Sequence, residues 1–374
     1  MPSFAAFGND LYTGRRSFDF VHRWRRLLAV AAVVVLLSVV ALAARGLNPG
    51  IEFTGGSEFT VSQVADPVEE PAREAVAEVN PGAQPPAVSI VGGTSVRVQT
   101  EQLPEAETGA ISAALAAAYD VDPGQVASSY VGPVWGEAIT RQALLGIGIF
   151  LVLVAGVITV YFRDAAMAGA AMVALVHDLV VTAGVYALVG FEVTPATVIG
   201  FLTILGFSLY DTVVVFDKVR EQTDGVLEGS SRTYLEQANL AVNQTVVRSI
   251  NTSVVAVLPI ASILFIGALL LGAGTLRDVA LALFVGTLAG TYSSIFVAPA
   301  FLGLVKGRSP LVRAHDERVR EARREQAELE RAEAEAAEQG AELSASGATT
   351  SGPAEAPSPA RGQRQQPRRG ERHG

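Results

Sequence analysis

The chain has 374 residues, half of them hydrophobic, no cysteine and a net charge of −9. The absence of cysteine excludes disulfides and thiolate metal sites, and the acidic balance does not fit a nucleic-acid binder. So apolar a chain, with positive mean hydropathy, belongs among membrane proteins.

The basic segment 1–26, with Arg15, Arg16, Arg23, Arg25 and Arg26, precedes a first apolar run at 27–44. The positive-inside rule then puts the N-terminus in the cytoplasm. Read instead as a signal peptide cut after Ala41-Leu42-Ala43, the run would be removed and five spans would remain; it is longer than a usual signal core of about 7 to 15 residues. Segment 45–142 is too long for a turn and predicts a folded domain on the outer face. Within it Ser57–Val64 reads as a strand, Pro67–Val79 as a helix, Ala87–Val91 and Ser95–Thr100 as a hairpin about Gly92-Gly93, Glu105–Tyr119 as a helix and Val126–Val131 as a strand. That β-α-β-β-α-β order is ferredoxin-like, and no catalytic constellation lies in it.

Five more apolar stretches near the required length of about 20 residues, at 143–162, 165–189, 196–216, 250–271 and 279–305, bring the spans to six. The C-terminus thereby returns to the cytoplasm. Lys218, Arg220, Arg232, Lys306, Arg308 and Arg313 agree with this orientation, and Arg277 dissents. Segment 217–249 is expected in the cytoplasm with a helix lying along the membrane. In the tail, 306–374, Ala314–Gln339 alternates Arg and Glu at helical spacing and predicts a solvated helix. From Ser344 the Ser/Pro/Gly/Arg-rich end predicts disorder; its arginines, Arg361 to Arg372, either touch anionic lipid or RNA or simply solvate the chain.

Span four carries Asp211, and an aspartate at a helix centre costs roughly 2.5 to 3.5 kcal/mol. Thr197, Gly200, Ser208 and Asp211 fall near one helical stripe interrupted by Ile204, which predicts the bundle-facing seam. Arg248 enters span five from the same side at comparable depth. If Asp211 and Arg248 approach in one conformation and part in another, proton affinity is coupled to shape; a static buried pair that fixes packing is the alternative. His177-Asp178 in span three, being adjacent, should point in different directions, one of them bonding a neighbouring helix. With Ser208, Thr212, Asp217 and Asn251 they are expected as supporting polar residues, a second proton carrier at His177-Asp178 being the alternative. Gly286, Gly290 and Ser294 form a small-xxx-small ridge on span six, while Pro259 and Pro299 are candidate kinks.

These residues resemble the SecF family, the smaller subunits of the SecDF translocation accessory complex in the RND superfamily, over almost the whole chain to about residue 310. The carriers are Gly50-Ile-Glu-Phe-Thr-Gly-Gly56, Val131-Gly-Pro133 with Gly136-Glu137, His177-Asp178, the run from Asp211 to Glu221, the run from Asn243 to Ser253, and Gly290-Thr-Tyr-Ser-Ser-Ile-Phe296. The resemblance implies a polytopic helical membrane protein, six of twelve RND-type helices, with a small extracytoplasmic α+β domain. It further implies a SecD-like partner that supplies the other six helices, with SecYEG, SecA and YajC as further partners and unfolded preproteins as substrate. The implied activity is translocation across the cytoplasmic membrane driven by the proton-motive force after the SecYEG/SecA step, with no cofactor, H⁺ as the coupling ion and lipid contacts all round. By motif position Asp211 matches the family's relay aspartate and Arg248 its arginine on the next helix. Glu52 stands where the family more often has aspartate, and Tyr210 where asparagine commonly precedes the relay carboxylate.

Three other readings compete. An RND exporter normally carries both six-helix halves and two large outer domains in one chain. An intramembrane aspartyl protease needs two aspartates on one water, and its Gly-x-Gly-Asp motif is absent. A passive structural subunit without proton coupling is separated from the relay reading by mutation of Asp211.

Overall fold

The computed structural model describes residues 9–229, 231–270 and 274–347. Helix α1 (Trp24–Arg45) leads through strand β1 (Asn48–Pro49) and a single turn α2 (Ile51–Thr54) into a small domain: β2 (Gly56–Val61), α3 (Glu70–Val79), β3 (Ala87–Val91), β4 (Ser95–Thr100), α4 (Glu105–Ala118) and β5 (Val126–Val131). The sheet order is β3-β4-β2-β5 with every neighbouring pair antiparallel, the ferredoxin-like arrangement. Alternation along β2 and β4 explains why it forms: Phe59, Val61, Val96 and Val98 point to one face and are fully buried against Ile111 and Leu115 of α4 and Val76 of α3. Glu58, Arg97 and Gln99 point to the other face.

Gly56 opens β2 with φ 141°, where an added Cβ would sit 2.4 Å from the Thr100 carbonyl oxygen. Only glycine fits there.

Five long helical stretches follow. They are α5 (Pro133–Phe162), α6 (Ala165–Val189), α7 (Pro195–Thr223) after the two-residue strand β6 (Glu192–Val193), α8 (Tyr234–Ser262) continued by a π-helical stretch Ile263–Leu270, and α9 (Gly274–Tyr292) continued by π-helical Ser293–Val297 and α10 (Ala298–Lys306). With α1 they are six helices long and apolar enough to cross a membrane, so this is a multi-pass membrane protein. Asp164 caps α6, while Thr194 with Thr197 and Thr233 with Glu236 form capping boxes at α7 and α8. The π-helical stretches follow Pro259 by one turn and precede Pro299, and the missing backbone donors there make the change of winding cheap. Helix α11 (Pro310–Gly347) contains the expected Arg/Glu helix and runs on through the first residues of the segment expected to be disordered from Ser344, the remainder of which lies outside the described residues. The tail arginines from Arg361 on lie outside the described residues.

Several expected boundaries shift. Helix α5 starts at Pro133, so the outer segment ends ten residues before the expected 142. Helices α7 and α8 run on through polar turns to Thr223 and from Tyr234, so among the described residues of segment 217–249 the one separate helical element between the spans is the single 3₁₀ turn Val226–Glu228. A connecting stretch of 224–233 is all that remains of it. Hydropathy ends where side chains become polar, but the backbone ladder continues as long as propensity allows.

At the face opposite the α+β domain, the chain before α1 is strapped to α8. Asn239 accepts from the Phe20 and Val21 amides at 2.8 and 3.2 Å and donates to the Phe18 carbonyl at 2.9 Å. Asn243 accepts from the Phe18 amide at 2.7 Å and donates to its carbonyl at 2.8 Å.

Candidate functional site in the membrane bundle

The seam expected on α7 is present. Thr197, Gly200, Ile204, Ser208 and Asp211 are all buried, and they pack on the small residues of α9. Ile204 lies in the notch at Gly286, and Ser208 lies against Gly290, whose added Cβ would stand 3.0 Å from the Ser208 Cβ. Ser294 is buried one turn further on, its hydroxyl donating to the Thr291 carbonyl.

Asp211, 9% exposed, lines a cavity of about 30 Å³ with Ser208, Thr252, Ser253, Thr287 and Thr291. That is room for about one or two waters. Ser253 of α8 shares that cavity with the carboxylate, its hydroxyl donating to the Ser249 carbonyl at 2.7 Å. Among the described residues Asp211 and Arg248 form no ion pair. By helical rise they lie at similar depth, roughly 18 Å from Thr223 and roughly 21 Å from Tyr234 respectively. Arg248 is exposed on the surface of the chain, together with Asn251 and Thr252 and among the exposed Ile250, Val254 and Val255. Thr212 and Ser249 are buried between α7 and α8 with unpartnered hydroxyl oxygens. Asp217 is exposed and accepts from the Tyr161 hydroxyl at 3.3 Å, outside the seam.

His177 and Asp178 are buried in α6. The two side chains touch, His177 Nδ1 lying 3.1 Å from Asp178 Oδ1, while His177 also lines a groove against α1. Asp178 Oδ2 accepts from Ser208 of α7 at 2.5 Å and from Ser293 at 2.8 Å, tying three spans together. Ser249, Ser253, Thr287, Thr291 and Ser293 went without an assigned role in the sequence. Hydroxyl residues every three or four positions along α8 and α9 are the signal that would have found them.

A second charged cluster joins the sheet domain to the bundle. Strands β1 and β6 pair in parallel, Asn48 with Glu192 and Pro49 with Val193. Arg97 of β4 reaches Glu192 at 3.1 Å and Glu58 at 3.7 Å, and Gln99 donates to Glu58 at 3.0 Å. Burial opposes the Arg97 charge, yet the Glu58 and Glu192 carboxylates outweigh it and raise its pKa. Burial, reinforced by Glu192 and Glu58, raises the Glu52 carboxyl above its usual range against the pull of a backbone hydrogen bond and Arg97. At the opposite face burial works to raise the Asp164 carboxyl, but the Lys306 ammonium at 2.5 Å and two backbone amides hold it below the ordinary value. Among the described residues no cluster could hold a metal ion.

Residues 111–308 match a family model described as protein export membrane protein SecD/SecF, C-terminal, and residues 40–62 match the SecD/SecF GG motif. The chain is 43% identical over 323 residues to protein translocase subunit SecF of Streptomyces coelicolor, covering 85% of each. It is 44% identical over 332 residues to the subunit of that name from Mycobacterium tuberculosis, covering 85% of this chain and 74% of that one. The crystal structure of Thermus thermophilus SecDF, a translocon-associated membrane protein, superposes with a TM-score of 0.67 at 32% identity. That match covers 78% of this chain and 39% of the other, so this chain spans well under half of that polypeptide.

Proposed function

Because this chain belongs to the SecD/SecF family of protein export membrane proteins, we propose that it acts in protein translocation as the SecF-like half of a proton-driven complex in the cytoplasmic membrane. The α+β domain faces outward and both chain ends face the cytoplasm, as the arginines before α1 require. A SecD-like subunit supplies the other half, and the complex assists preproteins after the SecYEG/SecA step, with YajC as an accessory.

One observation carries the reading: the polar seam is incomplete within this chain. Asp211 is buried beside a small polar cavity, while Arg248, at similar depth on the next helix, points off the surface among apolar side chains. A guanidinium left there in lipid costs about 2.5 to 3.5 kcal/mol. A partner helix bearing a carboxylate relieves that cost and brings Arg248 into the same field as Asp211. Protons taken up from outside neutralise Asp211 and loosen its attraction to Arg248; release to the cytoplasm restores it. Each protonation state then favours a different packing of α7 against α8, and the sheet domain, clamped to the bundle by Arg97 and Glu192, moves with it.

The test is proton-gradient-dependent export of a secreted reporter with the SecD-like subunit co-expressed, comparing wild type with Asp211→Asn. Export should collapse at unchanged complex abundance. Full activity would make the carboxylate a packing feature and the subunit a passive scaffold.

A further inference from the structure

Two features that the relay does not use meet at the start of α1: a pair of arginines without a carboxylate, and an apolar groove that begins one turn away. Trp24 opens α1 and is partly exposed. The Arg25 guanidinium carbon lies 5.3 Å from the centre of its ring, and that of Arg308, just past the end of α10, lies 5.9 Å from the same centre. The two charges are therefore at most about 11 Å apart, the sum of those distances. Both arginines are exposed. Neighbouring cations are already answered, Arg23 by Asp19 at 3.6 Å and Lys306 by Asp164 at 2.5 Å. Among the described residues no carboxylate pairs with Arg25 or Arg308.

The groove, of about 280 Å³, runs between α1 and α6. Leu28, Ala32 and Val35 line it from α1, Val173 and His177 from α6, and Val297 from the last span. By helical rise Leu28 stands roughly 6 Å and Val35 roughly 16 Å beyond Trp24. Half the hydrocarbon core of a bilayer is about 15 Å deep, so the groove occupies one leaflet and starts directly beneath the guanidiniums. Val30, Val33 and Leu36 stand exposed on the same helix. These walls belong to the first, third and last spans, whereas the face assigned to the second half lies on α7 and α8.

We propose that this corner of the bundle binds an anionic phospholipid, its phosphate between Arg25 and Arg308 and one acyl chain in the groove. The indole holds the faces of the guanidiniums and leaves their N–H edges to take phosphate oxygens in pairs. Tryptophan favours the headgroup level, and basic pockets at the ends of spans recognise phosphate head groups. A free phosphate would answer the two charges and leave the groove empty. A zwitterionic lipid would fill the groove but bring a cation of its own to the arginines. An anionic lipid answers both, and it bridges the start of the first span to the end of the last, where the chain itself supplies only like charges.

The test uses one of the chain's two tryptophans as a local probe and needs neither Asp211 nor a proton gradient. The complex with its SecD-like subunit is reconstituted in dioleoylphosphatidylcholine vesicles, and lipid brominated on its acyl chains is titrated in, either phosphatidylglycerol or phosphatidylcholine. The Trp24 share of the quenching is the difference between wild type and Trp24→Phe. A guanidinium near its anionic lipid is worth about fivefold in binding, so half-quenching should need roughly 25-fold less phosphatidylglycerol than phosphatidylcholine. Arg25→Gln and Arg308→Gln should each remove about fivefold of that preference, and Ala32→Phe, which fills the groove from an exposed position, should weaken quenching by phosphatidylglycerol. Arg232→Gln, the same charge change in the connection between α7 and α8, should leave the preference intact; an equal loss there would mean diffuse attraction and overturn the site. Equal half-quenching by the two lipids in wild type overturns it as well. If millimolar glycerol 3-phosphate abolishes the preference, the arginines take a soluble anion and the lipid assignment is wrong. Trp24 emission that neither brominated lipid reduces would show the groove filled by the SecD-like subunit, which equally defeats the proposal.

Discussion

The contact between α7 and α9 is held open by one missing methyl group, and Gly286→Ala measures its worth. An added Cβ would stand 2.2, 2.6 and 2.7 Å from Cδ1, Cγ2 and Cγ1 of Ile204. Ile204 is 3% exposed and branched at Cβ, so no rotamer clears all three contacts. Overpacking costs about 1 to 3 kcal/mol, and approaches this short belong at the upper end. Alanine returns about 1 kcal/mol of helix preference over glycine. The net loss is about 2 kcal/mol, roughly 30-fold in the folding equilibrium. Gly148→Ala on α5 is the control, since nothing lies within 4 Å of its added Cβ. Reversible unfolding in mixed micelles, followed by circular dichroism, should show the loss for Gly286→Ala alone. Ile204→Ala costs about 2 to 5 kcal/mol by itself, and the double variant should be more stable than the sum by about 1 kcal/mol or more. Equal stability of Gly286→Ala and Gly148→Ala, or strict additivity with Ile204→Ala, would refute the steric argument.

Glu52→Gln should stabilise the protein above the ordinary glutamate range: burial raises this carboxyl in the folded state, which therefore binds the proton more tightly than the unfolded chain, so wild-type stability falls as pH rises through that range. Unfolding midpoints against pH should flatten there in the variant, and identical slopes would count against the buried carboxylate. Asn239→Ala removes the side chain that holds the Phe18, Phe20 and Val21 backbone, at about 1 kcal/mol per hydrogen bond. Limited trypsin digestion should cut faster at Arg15, Arg16 and Arg23 than in wild type, while the α8 helix stays intact.

The six spans were legible because lipid imposes a length and a composition that few other structures share. The strands Ala87–Val91, Ser95–Thr100 and Val126–Val131 were legible to the residue, because alternation and the Gly92-Gly93 turn mark both ends. The starts of α5 and α8 were not, since their first turns carry polar residues that a hydropathy window discards. The stripe from Thr197 to Asp211 followed from helical periodicity, whereas its partners at Gly286 and Gly290 had to be matched in space. Asp178 shows the limit most clearly: its acceptors' partners lie 30 and 115 residues away, and nothing in a sequence window joins them. The clamp of Arg97 on Glu192, 95 residues apart, is hidden for the same reason. Pro259 and Pro299 flagged irregular winding without saying that it would be π-helical.

The strap at Asn239 and Asn243 fixes an order of assembly. Its bonds join residues 218 to 226 positions apart. A ribosome adding about 5 to 20 residues per second leaves the first span waiting on the order of ten seconds or more before the fifth emerges. Until then Phe18, Phe20 and Val21 have nothing to hold them, and a chain that stalls or inserts a helix wrongly never covers them. The segment before α1 thus reports on the completion of the later part of the chain, and an incomplete subunit leaves that segment open to any protease on its side of the membrane.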